Sequence, residues 1–127
     1  MLTEFGKALR KLRINHQEIL KDMADTLNVS SAYLSAVETG KRRIPADWVS
    51  RISESYSLSQ DERSELQYAA DISAPDVTIS LNGATLARRD AVLSFAKALD
   101  GMSDEELTKI MSAMKKTRKK RGDTKYA

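Results

Sequence analysis

Residues 23–45, MADTLNVSSAYLSAVETGKRRIP, decide the fold. Val29, Leu34 and Val37 recur at helical spacing, while the other face is small and hydroxylated: Ser30, Ser31, Ala32, Ser35, Ala36 and Thr39. Asn28 tolerates the left-handed conformation and stops the preceding helix. Ser30 caps the next one and Gly40 ends it, with Lys41, Arg42 and Arg43 directly behind. Ala24 must be small, because the helix carrying Leu34 crosses close to it. Two short helices joined this tightly make a helix-turn-helix, whose second helix enters the major groove of DNA. A groove about 12 Å wide favours short side chains on the leading face. Hydroxyls there reach base edges or phosphates, and the free N–H groups of the helix start favour phosphate. The three cations then serve as counter-charges along the backbone.

Working outward, Phe5, Ala8, Leu9 and Leu12 mark a first amphipathic helix from about Thr3 to Ile14. The second helix, from about Ile19 to Leu27, buries Leu20, Met23, Ala24 and Leu27. Pro45 suits the first turn of a fourth helix carrying Trp48, Val49, Ile52 and Tyr56. Ser59 with Glu62 forms a capping box for a fifth, which bears Leu66, Ala69 and Ala70. Trp48 reads as core and His16 as a solvated loop residue. Tyr33 either packs on the second helix or touches a phosphate.

Composition changes at Ala74–Pro75. Val77–Leu81 (VTISL) alternates as a strand would, and Asn82–Gly83 signals a turn. A lone strand leaves its backbone groups unpaired, so the segment is either an extended connector or pairs with its copy in a dimer. Two further helices follow. One carries Leu86, Val92, Phe95, Ala96 and Leu99, and Asp100–Gly101 breaks it. The other opens on a Ser103–Glu106 capping box with Met102 and Leu107 as staple, and carries Leu107, Ile110, Met111 and Met114. So small a unit rarely folds alone, so Val92, Phe95, Leu99, Leu107, Ile110 and Met111 are expected to be dimer contacts. The expected domains are a DNA-binding domain over 1–73, a connector over 74–83, a helical dimerisation region over 84–114 and a basic disordered tail over 115–127.

Composition also narrows the chemistry. With no cysteine and one histidine in 127 residues, disulfides, Cys-based zinc sites and a His-pair acid–base relay are excluded. Only five glycines are present and none forms a phosphate-cradling loop, so the expectation is a non-enzyme without metal or cofactor. No apolar run reaches membrane-spanning length and the first residues lack a signal-peptide core, which makes a cytoplasmic location the expectation. The net charge of +3 is zoned. Residues 1–58 carry +2, residues 59–108 carry −6 and residues 109–127 carry +7, so the high pI belongs to the tail.

LTEFGKALRKLR, followed by MADTLNVSSAYLSAVETGKRRIP, resembles the Cro/cI-type (XRE) helix-turn-helix family of phage and bacterial repressors over about residues 3–70. The resemblance implies an all-α chain with a five-helix lambda-repressor-like domain that binds a palindromic operator as a homodimer. It also implies that Glu38 is buried against Arg13 and does not touch bases. Leu20 stands where many members have a phosphate-touching Gln, leaving Lys21 or the backbone as substitutes. The overall layout further resembles small repressors encoded beside an HExxH-type zinc metallopeptidase, which cleaves them in the C-terminal region and induces the operon of a mobile element or phage-defence system. A sequence-specific repressor of its own or a neighbouring operon is therefore the first functional reading. The alternative is an antitoxin that neutralises a partner protein and autoregulates through its DNA-binding domain.

Overall fold

α1 (Glu4–Asn15) begins at Thr3, whose hydroxyl accepts from the Gly6 N–H at 3.0 Å. Its apolar stripe puts Phe5 and Leu9 entirely out of water. α2 (Leu20–Leu27) starts without a side-chain cap at Ile19, although Asp22 accepts the Ile19 N–H at 2.9 Å. It ends on Asn28 at φ 58°, with Val29 N–H on the Ala24 carbonyl and Asn28 N–H on that of Asp25. α3 (Ser31–Glu38) is capped by Ser30 and closes on Gly40 at φ 78°. Lys41 N–H then returns to the Ala36 carbonyl and Gly40 N–H to that of Val37, the same closing pair used at Asn28.

α4 (Trp48–Ser55) starts three residues after Pro45, which lies in the preceding turn and not in the first turn of the helix. Trp48 N–H bonds the Pro45 carbonyl at 3.1 Å, so the fixed φ of proline shapes the approach to the helix. α5 (Gln60–Ser73) opens on the Ser59–Glu62 capping box and packs along α1. Trp48, Phe5, Leu9, Met23, Leu27, Leu34, Val37 and Ile52 form the centre of one core, each at most 1 % exposed. Full burial of one such side chain contributes roughly 1.5–3 kcal/mol. Leu20 lies at the edge of this core, half-buried.

This computed structural model describes the backbone of residues 1–120 and side chains as far as Arg118, and it divides into two units. The first spans Met1–Val77 and the second starts at Thr78. All seven α-helices of the described residues, and the absence of any strand among them, make the fold all-α. Residues 76–81 form neither helix nor strand, with Val77 81 % and Ile79 58 % exposed, and no strand among the described residues pairs with the VTISL segment. In the second unit α6 (Leu86–Ala98) starts on the Thr85 cap and ends in a 3-10 turn at Leu99–Gly101. α7 (Asp104–Lys120) runs six residues beyond Met114, where a disordered tail was expected to begin at Lys115. Lys and Arg are good helix formers, and cations suit the C-terminal end of the helix dipole, which accounts for the extension. The rest of the expected tail, 121–127, lies outside the described residues.

Gly6 is where α1 meets the end of α3. A Cβ there would stand 2.2 Å from the Glu38 carbonyl oxygen and 2.9 Å from its carbon. Both atoms are backbone, so neither can swing away. Alanine would recover roughly 1 kcal/mol of helix propensity, while forced overpacking costs about 1–3 kcal/mol or more. Gly6→Ala is therefore expected to lower the melting temperature by several degrees, at about 4–8 °C per kcal/mol for a unit of this size. A variant melting with the wild type would show that α1 and α3 are not held this closely.

Candidate nucleic-acid interface

The site is the outer face of α3 and the loop behind it. Ser30, Ala32 and Ser35 are exposed, whereas Ser31, Tyr33, Ala36 and Thr39 are half-buried. The hydroxyls are not equivalent. Ser30 accepts the Tyr33 N–H at 3.0 Å, so its proton remains available to donate outward. Thr39 donates to the Ser35 carbonyl at 2.9 Å and can offer a ligand only its lone pairs. Ser35 has no such local bond and stands at the centre of the face. Tyr33 meets the ring of Trp48 edge-on at 6.0 Å, which gives it a partner in α4 that the sequence reading did not name.

The three cations differ as well. Lys41 and Arg42 are exposed and their backbone N–H groups both reach the Ala36 carbonyl, at 2.9 and 3.2 Å. Those bonds keep the two side chains at the end of α3. Arg43 instead donates twice to the Asp76 carboxylate, at 3.2 and 2.9 Å. This hydrogen-bonded pair holds the Asp76 carboxyl below its ordinary range and raises the Arg43 guanidinium. Both side chains are well exposed, so the bond is open to competition from another anion.

What fixes α3 is buried. Arg13 pairs with Glu38 through both guanidinium ends, Nη1 to Oε2 and Nη2 to Oε1 at 3.2 Å. Their side chains are 9 % and 4 % exposed. Arg13 Nη1 also lies 3.3 Å from Met23 Sδ in α2. The backbone of Glu38 is held too, because its carbonyl accepts both the N–H and the hydroxyl of Thr3 at 3.0 Å. One residue thus ties the end of α3 to two places on α1.

Sequence reasoning had missed Thr3 and Gly6 in this contact. A glycine inside an amphipathic helix pattern was the available signal, since it weakens a helix unless something must approach its backbone. Arg51 was missed as well. It donates to the Leu27 carbonyl at 2.8 Å and so holds the end of α2 against α4. Tyr56 donates to Glu18 at 2.6 Å across the turn between α1 and α2, and burial with this bond pushes its phenol upward. His16 caps α1, exposed, with its ring against Tyr56 at 4.9 Å.

The remaining candidates lie in the second unit. Val92, Leu107 and Ile110 are half-buried there, while Phe95, Leu99 and Met111 are 41 %, 42 % and 50 % exposed. Among the described residues no cluster of three His, Cys, Asp or Glu is placed to hold a metal. No described helix is long and apolar enough to cross a membrane.

Compared with known families, residues 4–66 match the helix-turn-helix domain. Comparison with curated proteins and with solved structures returns no match. The matched stretch contains α1 to α4, the α2–Asn28–α3 turn and the exposed face of α3. Through this N-terminal domain the chain belongs to the Cro/cI-type (XRE) helix-turn-helix family of DNA-binding regulators.

Proposed function

We propose that the chain is a sequence-specific repressor that binds a palindromic operator as a homodimer and controls its own or a neighbouring operon. The observation that carries this reading is the α3 surface. Short side chains around Ser35 form a face that fits a groove, and Lys41 and Arg42 stand where the phosphate backbone would run. Ser31, Ser35 and Ala36 would read base edges, while Ser30, Tyr33, Thr39 and the cations would set register on the phosphates. Arg13 and Glu38 hold the face without touching DNA. The homodimer is favoured by the half-exposed apolar residues of α6 and α7, which suit a second copy and would link two half-sites.

The experiment is a salt titration of binding to duplex DNA. Each phosphate contact removed is expected to flatten the slope of log K against log salt by about 0.9. Lys41→Ala with Arg42→Ala should thus reduce it by roughly twice that amount, with little change in sequence preference. Arg43→Ala should cost less affinity, because Arg43 must first leave Asp76. An unchanged slope in the double variant would show that Lys41 and Arg42 face solvent in the complex.

A further inference from the structure

Apart from Lys109, α7 carries its charge in two blocks. Asp104, Glu105 and Glu106 open the helix, and Lys115 and Lys116 stand near its end. Between them run Leu107, Ile110, Met111 and Met114, with Met111 50 % and Met114 53 % exposed. The helix start is fixed by Ser103, which accepts the Glu106 N–H at 3.1 Å while the Glu106 carboxylate accepts the Ser103 N–H at 3.0 Å. Among the described residues α6 does not lie packed along α7, and the stripe stays partly open, with Leu107 and Ile110 only half-buried.

We infer that this stripe is covered by the α7 of a second copy running antiparallel, which rests on the homodimer proposed above and gives it an orientation. The register supports it. Leu107 and Met114 are equidistant from the midpoint between Ile110 and Met111, and the acidic block at 104–106 lies as far before that midpoint as residues 115–117, with Lys115 and Lys116, lie after it. A two-fold axis through that midpoint sets apolar positions against apolar ones and the acidic end of each helix beside the basic end of the other. A parallel pair would place acid beside acid and base beside base. The contact is isologous, so each favourable pairing occurs twice. Apolar burial supplies the attraction, and charge selects the direction.

The chain contains no cysteine, so single-cysteine variants of the full chain report neighbours without background. Leu107→Cys and Met114→Cys proteins, mixed and oxidised, should give a covalent dimer, and neither should do so alone. Self-crosslinking of Leu107→Cys, or an uncrosslinked mixture that still sediments as a dimer, would overturn the antiparallel orientation. A wild-type chain that sediments as a monomer would instead remove the homodimer itself. A second pair of variants avoids touching the stripe. Asp104→Lys with Glu105→Lys should weaken dimerisation roughly tenfold at low salt, and adding Lys115→Glu with Lys116→Glu should restore it. If the loss came only from lysines opposing the helix dipole, the four-fold variant would be the weaker dimer, because acids at the C-terminal end oppose it too.

Discussion

Glu38→Ala is expected to remove on the order of 3–5 kcal/mol of stability, because it leaves the Arg13 guanidinium buried without its partner. For a unit of 77 residues the whole stability is roughly 4–12 kcal/mol, so this one change removes from about a quarter of it to all of it. The loss arises inside the domain, between α1 and α3, and DNA binding falls as a consequence of the lost structure. The reverse test is informative. Replacing both partners by apolar residues, Arg13→Met with Glu38→Leu, should recover much of the melting temperature, since a well-packed apolar pair is often neutral against a buried ion pair. A thermal melt of Glu38→Ala that overlays the wild type would show that the pair does not hold the recognition helix.

Ending the chain after Val77 is expected to lower operator affinity by about 10²–10⁴, the range by which joining two binding modules exceeds either one alone. The cut preserves the whole first unit, including the Arg43–Asp76 contact, so the domain should keep its helical signal and its melt. What it removes is α6 and α7, with Phe95, Leu99, Met111 and Met114. A free domain reads one half-site, whereas a dimer spans two, separated by about one helical turn near 34 Å. A truncated protein that still sediments as a dimer and binds with full affinity would place the dimer contact in the first unit.

The α2–α3 region was legible in the sequence because its boundaries rest on strong local chemistry. Asn28 takes the left-handed turn, Ser30 caps and Gly40 ends, and each does so through bonds within a few residues. The apolar spacing of Phe5, Leu9, Leu34, Val37 and Ile52 likewise identified the core. Features that depend on distant parts of the chain were not legible. Nothing near Thr3 or Gly6 announces Glu38, which lies 35 residues from Thr3, and nothing near Arg51 announces the Leu27 carbonyl. Pro45 was placed in the first turn of α4 because proline suits that position, but it equally suits the turn before it. The end of α7 was set too early because a run of Lys and Arg reads as a solvated tail, although the same residues extend a helix already formed. The differences among Lys41, Arg42 and Arg43 were also hidden, since only the fold brings Asp76 to Arg43.

The most direct measurement of whether the α3 face reads DNA sequence is recovery of bound duplexes from a randomised pool, with wild type and Ser35→Glu side by side. Ser35 is exposed and its hydroxyl makes no hydrogen bond, while the bonds from Thr39 go to its backbone carbonyl, which the substitution keeps, so the variant should fold and melt as the wild type does. The wild type is expected to enrich a palindrome with half-sites about one helical turn apart. Ser35→Glu, which puts bulk and negative charge into the groove, should enrich nothing while keeping its far-UV CD. Enrichment of the same palindrome by Ser35→Glu, or no enrichment by a folded wild type, would contradict the assignment of α3 as the sequence-reading surface.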